Sequence, residues 1–407
     1  MANEKIRMVV LDDDPTGIQT VHGCRLLTVW DVESLGEALD DKARFFYVLT
    51  NTRAMTRQEA SRVVSEVMEN VLLANRDRGY HLIFISRSDS CLRGHFPLET
   101  DVMAEVLTRH GIAVWRPIPF VPAFIEAGRV TINGTHYMRD GERLIPISET
   151  EFAHDNVFGY HSSVLSEYIT EKGAHPNDFE IVDAESYDQL YAFAHQLLTR
   201  LSTFSGAMVI RSSSSLPRAL SGISDHPLLH LNYLRSNSNP GVFVVGSHVQ
   251  KTTQQLNRLL AEKGTAGIEI NVEKLLDCPD GIIAGTLSQV KEFAERGMTP
   301  VIYTSRRELR LNDADQRQAL GQQVSDALVE IVRQLPFTPS YLVAKGGITS
   351  NDILTKGLKV KSATVLGQII PNVPCVMTRQ FPYIIFPGNV GDMDSLADIY
   401  KTTLSAI

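Results

Sequence analysis

The chain has 407 residues, 43% hydrophobic and 21% charged, which suits an ordinary globular protein of roughly two or three domains. Its formal net charge of -8 argues against a general nucleic-acid or acidic-membrane binder, whose footprint is basic. Four scattered cysteines make no CxxC pair or zinc spacing, no stretch approaches the ~20 apolar residues of a membrane helix, and the first apolar run is too short for a signal peptide; a soluble protein of the reducing cytoplasm is expected.

In chain order the pattern is apolar strand, polar turn, amphipathic helix. Strands are predicted at Ile6–Leu11, Phe45–Leu49, Leu82–Ile85, Ile112–Trp115 and Ala207–Ile210. Thr56-Arg57-Gln58-Glu59 is a capping-box signature that predicts a helix running to about Asn75. Residues 128–147, GRVTINGTHYMRDGERLIPI, break the rhythm. Asn133-Gly134 and Asp140-Gly141 are hairpin-turn dipeptides, so a small antiparallel meander is expected there. Composition shifts to Ser, Pro, Asn and Gly over 211–240, and a linker is placed at 223–240. A second set of strands follows at Val242–Val245, Val301–Thr304, Tyr341–Ala344 and Tyr383–Phe386. The fold class read from this order is α/β: two α/β domains with mainly parallel sheets, over 1–222 and 241–407, the first carrying the meander.

Ligands of open α/β sheets bind outside the carboxyl ends of the strands. In the first half those ends carry Asp12-Asp13-Asp14-Pro15-Thr16-Gly17, then Thr50-Asn51-Thr52-Arg53, then Arg87-Ser88-Asp89-Ser90 followed by Arg93-Gly94-His95. Aspartates after a strand serve as Asx turns or helix caps, or else face a polyol or a metal. Arg53, Arg87 and Arg93 are placed to screen them or to hold a substrate carboxylate. In the second half the strand ends are glycine-rich: Gly246-Ser247-His248, Lys345-Gly346-Gly347-Ile348-Thr349-Ser350, and Pro387-Gly388-Asn389-Val390-Gly391-Asp392. Glycine lets backbone amides approach a phosphate, and such turns serve as plain turn chemistry or as a nucleotide site. There is no Walker loop, GxGxxG fingerprint or protein-kinase signature, and no GxSxG context for Ser212–Ser215. Cys91 has no base paired with it and reads as a buried thiol.

Several motifs in order resemble the four-carbon acid sugar kinase family. The Asp12–Gly17 turn is similar to the family's ADDxTG, Asn51-Thr52-Arg53 to its short turn ending in Arg, and Arg87–His95 to its KIDSTLRGN. The stretch PFVPAFIEAGRVTINGTHYMRDGERL resembles its proline-rich loop and NG meander, and Val182-Asp183-Ala184-Glu185 another signature. The resemblance implies phosphorylation of threonate, erythronate or a 3-oxo-tetronate by ATP, with Mg²⁺ expected alongside. Asp13 or Asp14 would then be the base or hydroxyl-orienting group. Arg53 and Arg87 would hold the substrate carboxylate, with Ser88, Asp89, Ser90 and Arg93 completing the sugar-acid site. Gly246, Ser247, Gly346, Gly347, Thr349, Ser350, Gly388, Asn389 and Gly391 would cradle the nucleotide; no metal ligand is assigned, and a homodimer is in keeping with the family. Two departures stand out. The family's GGDTS has Ile348 in place of its aspartate, and its KSGNFG has Phe386 in place of its lysine; Lys345 and Asp392 are the groups nearby in sequence that can compensate. The alternatives are a non-kinase sugar-acid enzyme or a nucleotide- or sugar-acid-binding protein diverged at the ATP site.

Overall fold

The computed structural model describes residues 5–306 and 314–404. The chain divides into two compact units, Met1–Asp225 and His226–Ile407.

The first unit is built on β1 (Ile6–Asp12), β2 (Arg25–Leu27), β3 (Phe45–Leu49), β4 (His81–Arg87), β5 (Ile118–Val121), β6 (Arg129–Ile132), β7 (Thr135–Asp140), β8 (Arg143–Pro146), β9 (Phe179–Ile181) and β10 (Met208–Ser212). Its main sheet runs β2-β3-β1-β4-β10-β5-β9, with every neighbouring pair parallel. β1, IRMVVLD, is buried along its whole length, as a strand covered by helices on both faces must be. The helix Arg57–Asn75 has the expected capping box, Thr56 and Glu59 each satisfying the other's backbone N–H. It buries Ala60, Val63, Val64, Val67, Met68, Val71 and Ala74, a stripe of period 3.6. Each such valine or methionine contributes about 1.5–3 kcal/mol on leaving water.

The meander forms: β6, β7 and β8 pair antiparallel, and Asn133 and Gly134 take φ of 49° and 71°, the left-handed pair that a two-residue hairpin turn needs. The strand expected at Ile112–Trp115 does not. Only an isolated bridge joins Val114 to Ala207, and the strand lies further on at Ile118–Val121. Pro117 and Pro119 lack an N–H, which makes that strand hard to read from its pattern.

The second unit contains β11 (Val242–Val245), β12 (Thr265–Ile270), β13 (Thr299–Thr304), β14 (Leu342–Lys345), β15 (Ser362–Ile370), β16 (Val373–Met377) and β17 (Pro382–Phe386). The order is β12-β13-β11-β14-β17-β16-β15, parallel as far as β17 and antiparallel beyond. Residues 226–240, compositionally a linker, lie within this unit. Their short helix Leu231–Leu234 sends Leu231 into the core beside Phe243 and Tyr341.

Both sheets place their first strand between strands that follow it in opposite directions. β1 lies between β3 and β4, and β11 between β13 and β14. Such a reversal opens a crevice at the strands' carboxyl ends. No described helix is long and apolar enough to cross a membrane.

Candidate active site

In the first unit the crevice is filled by charge. Asp13 is buried and receives Arg53 Nη2 at 2.5 Å, Arg53 Nε at 3.1 Å, Ser88 Oγ at 2.6 Å and Arg87 Nη1 at 3.4 Å. Asp12, with no exposed surface, receives Arg87 Nη1 at 2.7 Å. Asp14 is partly exposed and receives the Thr16 N–H at 2.8 Å, the Thr16 hydroxyl, and Arg53 Nη1 at 3.4 Å. Arg93 Nε donates to Asp89 at 2.7 Å, and its Nη1 lies 3.8 Å from Asp155. The repulsion of three adjacent carboxylates is thus offset by arginines from the next two strand ends.

The three aspartates end up in different electrostatic states. Burial pushes Asp12 up to about 7, against the pull of Arg87. Burial also works against ionisation at Asp14, but Arg53, Arg87 and the Thr16 bonds outweigh it and hold that carboxyl below its usual range. At Asp89, burial is likewise overcome by Arg53 and Arg93, which bring it down to about 2. Arg87, expected to hold a substrate carboxylate, is turned toward the protein's own carboxylates. Its guanidinium is enclosed, bonded to Asp12, Asp13 and Ser214 Oγ. It is a buried counter-ion for the turn. Burial raises the Cys91 thiol to about 11, in keeping with an inert side chain.

A second buried network, which the sequence reading missed, holds these turns in place. Glu99 accepts from Thr52 Oγ1 at 2.6 Å, Ser86 Oγ at 2.9 Å and Arg211 Nη1 at 2.5 Å. Arg211 stands on β10 in register with Ser86 on β4. His136 of the meander donates Nε2 to Ser90 O at 2.8 Å, and the Ser88 N–H donates to Ser212 O at 2.9 Å. The signal for this network was an arginine and a serine run closing an apolar strand, Arg211–Ser215. Gly94 passes between these groups with φ 123°; a Cβ there would lie 2.5 Å from Ser88 Oγ and 3.0 Å from Asp13 Oδ2.

In the second unit the three glycine turns lie together. Gly346 takes φ 119°, and a Cβ on it would approach Ser247 Cβ and Thr349 Oγ1, each at 3.3 Å. A Cβ on Gly388 would lie 3.6 Å from Ser247 Oγ, whereas one on Gly347 meets nothing within 4 Å. Thr252 Oγ1 lies 3.1 Å from Ser247 Oγ and 3.3 Å from Gly388 O, either of which can take its one proton. Ser350 is buried, its hydroxyl given to Ala344 O at 2.8 Å, so it braces the turn from behind. Lys345, also without exposed surface, donates Nζ to Pro387 O at 2.6 Å, Gly388 O at 3.1 Å and Val390 O at 3.4 Å. Its ammonium therefore sits under the turn that follows Phe386. Ile348 is 70% exposed where the resembling motif has an aspartate. Open glycine backbone beside hydroxyls suits phosphate oxygens. Among the described residues no group of three or more His, Cys, Asp or Glu side chains is placed to hold a metal ion.

Comparison with known proteins bears on both units. A model described as a sugar-binding N-terminal domain matches residues 8–179, and one described as a nucleotide-binding C-terminal domain matches 242–396. A D-erythronate kinase of Heliobacterium modesticaldum (strain ATCC 51547 / Ice1) is 27% identical over 180 residues; the stretch covers 42% of this chain and only 37% of that protein. A crystal structure of a Haemophilus influenzae protein with a domain of unknown function is similar over 97% of this chain and 100% of its own, with TM-score 0.67 and 16% identity. The crystal structure of a protein described as a putative tRNA synthase from Salmonella typhimurium LT2 is similar over 96% of this chain and 98% of its own, with TM-score 0.65 and 16% identity. These structural likenesses concern the fold alone. With the sugar-binding model over one unit and the nucleotide-binding model over the other, the chain belongs to the four-carbon acid sugar kinase family.

Proposed function

We propose that the chain is an ATP-dependent kinase that phosphorylates a hydroxyl of a four-carbon sugar acid of the threonate, erythronate or 3-oxo-tetronate type. The observation that carries this reading is the grouping of a partly exposed carboxylate, Asp14, with Arg53, Asp89 and Arg93 at the carboxyl ends of β1, β3 and β4. Asp14 orients the attacking hydroxyl and accepts its proton. Its lowered basicity fits a loose phosphoryl-transfer transition state, which asks more for orientation than for deprotonation. Asp13 is saturated with donors and serves to hold Arg53 and Ser88 in place. Arg93, whose guanidinium is engaged by Asp89 through Nε, keeps donors for the substrate carboxylate; Arg53 adds positive charge beside it, and Asp89 and Ser90 line the same turn. The relative named D-erythronate kinase supports a sugar acid as acceptor.

ATP supplies the phosphoryl group, and Mg²⁺ entering with it would neutralise charge on the phosphates. The glycine turns at Gly246-Ser247, Gly346-Gly347 and Gly388–Gly391, with the Thr349 hydroxyl and Asn389, bind and orient the phosphates. A coupled ADP-release assay across a panel of four-carbon acids tests the proposal. Turnover with a tetronate supports it, and none across the panel overturns it.

A second reading, a binding protein without kinase activity, is favoured by exposed Ile348 and buried Phe386 at the two positions where the family motifs carry charge. Under that reading ATP and a tetronate each raise the melting temperature, but no ADP appears.

A further inference from the structure

Three carbonyls of the turn after β17, those of Pro387, Gly388 and Val390, face buried Lys345, and that of Asn389 faces the exposed Lys251. Pro387 O accepts from Lys345, Gly388 O from Lys345, Asn389 O from Lys251 at 3.2 Å, and Val390 O from Lys345 and Gln255. In a trans peptide the N–H points opposite to the carbonyl of the same unit. The amides of Gly388, Asn389 and Gly391 therefore point away from Lys345, and that of Val390 points away from Lys251. None of the four donates to a protein acceptor among the described residues. Successive outward amides of this kind form a concave anion nest.

Beneath them lies a cation without a counter-ion. No carboxylate pairs with Lys345 among the described residues, and the charge that acts on it is the like charge of Lys251. Asp392 is engaged by Ser395 and by the Asp394 N–H, Asp394 by Arg258, and Asp352 by Ser325 and Lys356. Arg306 donates to Ser247 O on the adjoining strand end. The Phe386 ring lies 3.7 Å from Nζ.

We propose that Lys345 is the positioning residue of a phosphate nest made by the amides of residues 388–391, and that a bound phosphoryl group supplies the counter-ion this buried ammonium lacks. The inference rests on the reading of the second unit as a nucleotide site. Burial, with Lys251 adding repulsion, brings Lys345 down to about 7. A phosphate on the far side of the turn favours the charged form, so nucleotide binding draws a proton onto Lys345.

Isothermal titration of ATP–Mg²⁺ into the full chain near pH 8, in two buffers of different ionisation enthalpy, counts that proton. The triphosphate is essentially fully ionised there and has none to release. The wild type is expected to take up a substantial fraction of one proton. Lys345→Met is similar in length and suits the buried site. It is expected to take up none and to bind ATP about tenfold more weakly. Wild-type binding with no proton uptake overturns the role of Lys345 and leaves the nucleotide site standing. Unchanged uptake in Lys345→Met also overturns it. Absence of any ATP binding by the wild type overturns the nucleotide reading itself, and this inference with it.

Discussion

Arg53 grips Asp13 at two points, Nη2 on Oδ1 at 2.5 Å and Nε on Oδ2 at 3.1 Å. With Ser88 and Arg87 also donating to it, that carboxylate has no room for another donor. Asp13→Asn turns an amide toward these donors. Disrupting a buried ion pair costs about 3–5 kcal/mol, so the melting temperature should fall together with turnover. Asp14→Asn, on a partly exposed side chain that keeps an acceptor for Thr16 but loses charge toward Arg53, should lower the melting temperature less than Asp13→Asn and lose roughly a hundredfold or more in turnover. Thermal denaturation run beside ADP release separates the two. Wild-type turnover in Asp14→Asn removes that residue as the base.

Asp12 gives the fold a pH signature of definite sign. Its ordinary value of 3.8 becomes about 7 in the folded chain, so between these values the native state binds more protons than the unfolded one. The contribution of Asp12 to stability therefore falls as pH rises from about 4 to about 7. Asp12→Asn keeps an acceptor for Arg87 and removes the titration. Urea denaturation of both proteins over this range should give a wild-type-minus-variant difference that declines with pH; a flat difference contradicts a carboxyl kept neutral by burial.

Two glycines of the second unit should respond in opposite ways. Gly347 has open space at its Cβ position, and Gly347→Val should keep the melting temperature while weakening ATP binding about tenfold or more. A Cβ on Gly246 would lie 2.1 Å from Thr349 Oγ1, so Gly246→Ala should cost stability, roughly 1–3 kcal/mol. Calorimetric melting and nucleotide titration check both. Undiminished ATP affinity in Gly347→Val moves the phosphates elsewhere.

Arg93→Ala should raise KM for the sugar acid about tenfold, with a smaller change in kcat, because a carboxylate clamp is used equally in ground and transition states. Its side chain is 27% exposed and its ion pairs lie at the surface of the cluster, so the fold should survive. Steady-state kinetics against the acid, with ATP saturating, provide the measurement. An unchanged KM assigns the carboxylate to another group.

The long, regular elements were legible because periodicity alone specifies them: β1 as a continuous apolar run, the helix from Thr56 by its cap and stripe, the meander by Asn133-Gly134. Short strands such as Arg25–Leu27 and Phe179–Ile181 carry too few residues to show a period, and Ile118–Val121 hides among prolines. At the site, sequence placed the acidic turn and the arginines on one rim, since parallel neighbours present their carboxyl ends together. It did not reveal which charges face ligand and which face one another. Arg87 is spent on Asp12, and Glu99 and Arg211 meet across more than a hundred residues of chain, through a register that no local pattern encodes.

The turn over Lys345 has one more consequence. Four consecutive carbonyls already tied to side chains leave the backbone of residues 387–391 little freedom to lose. A ligand that docks there forgoes most of the entropic penalty of ordering a loop, so its residence time should be governed by its own contacts and not by refolding of the turn.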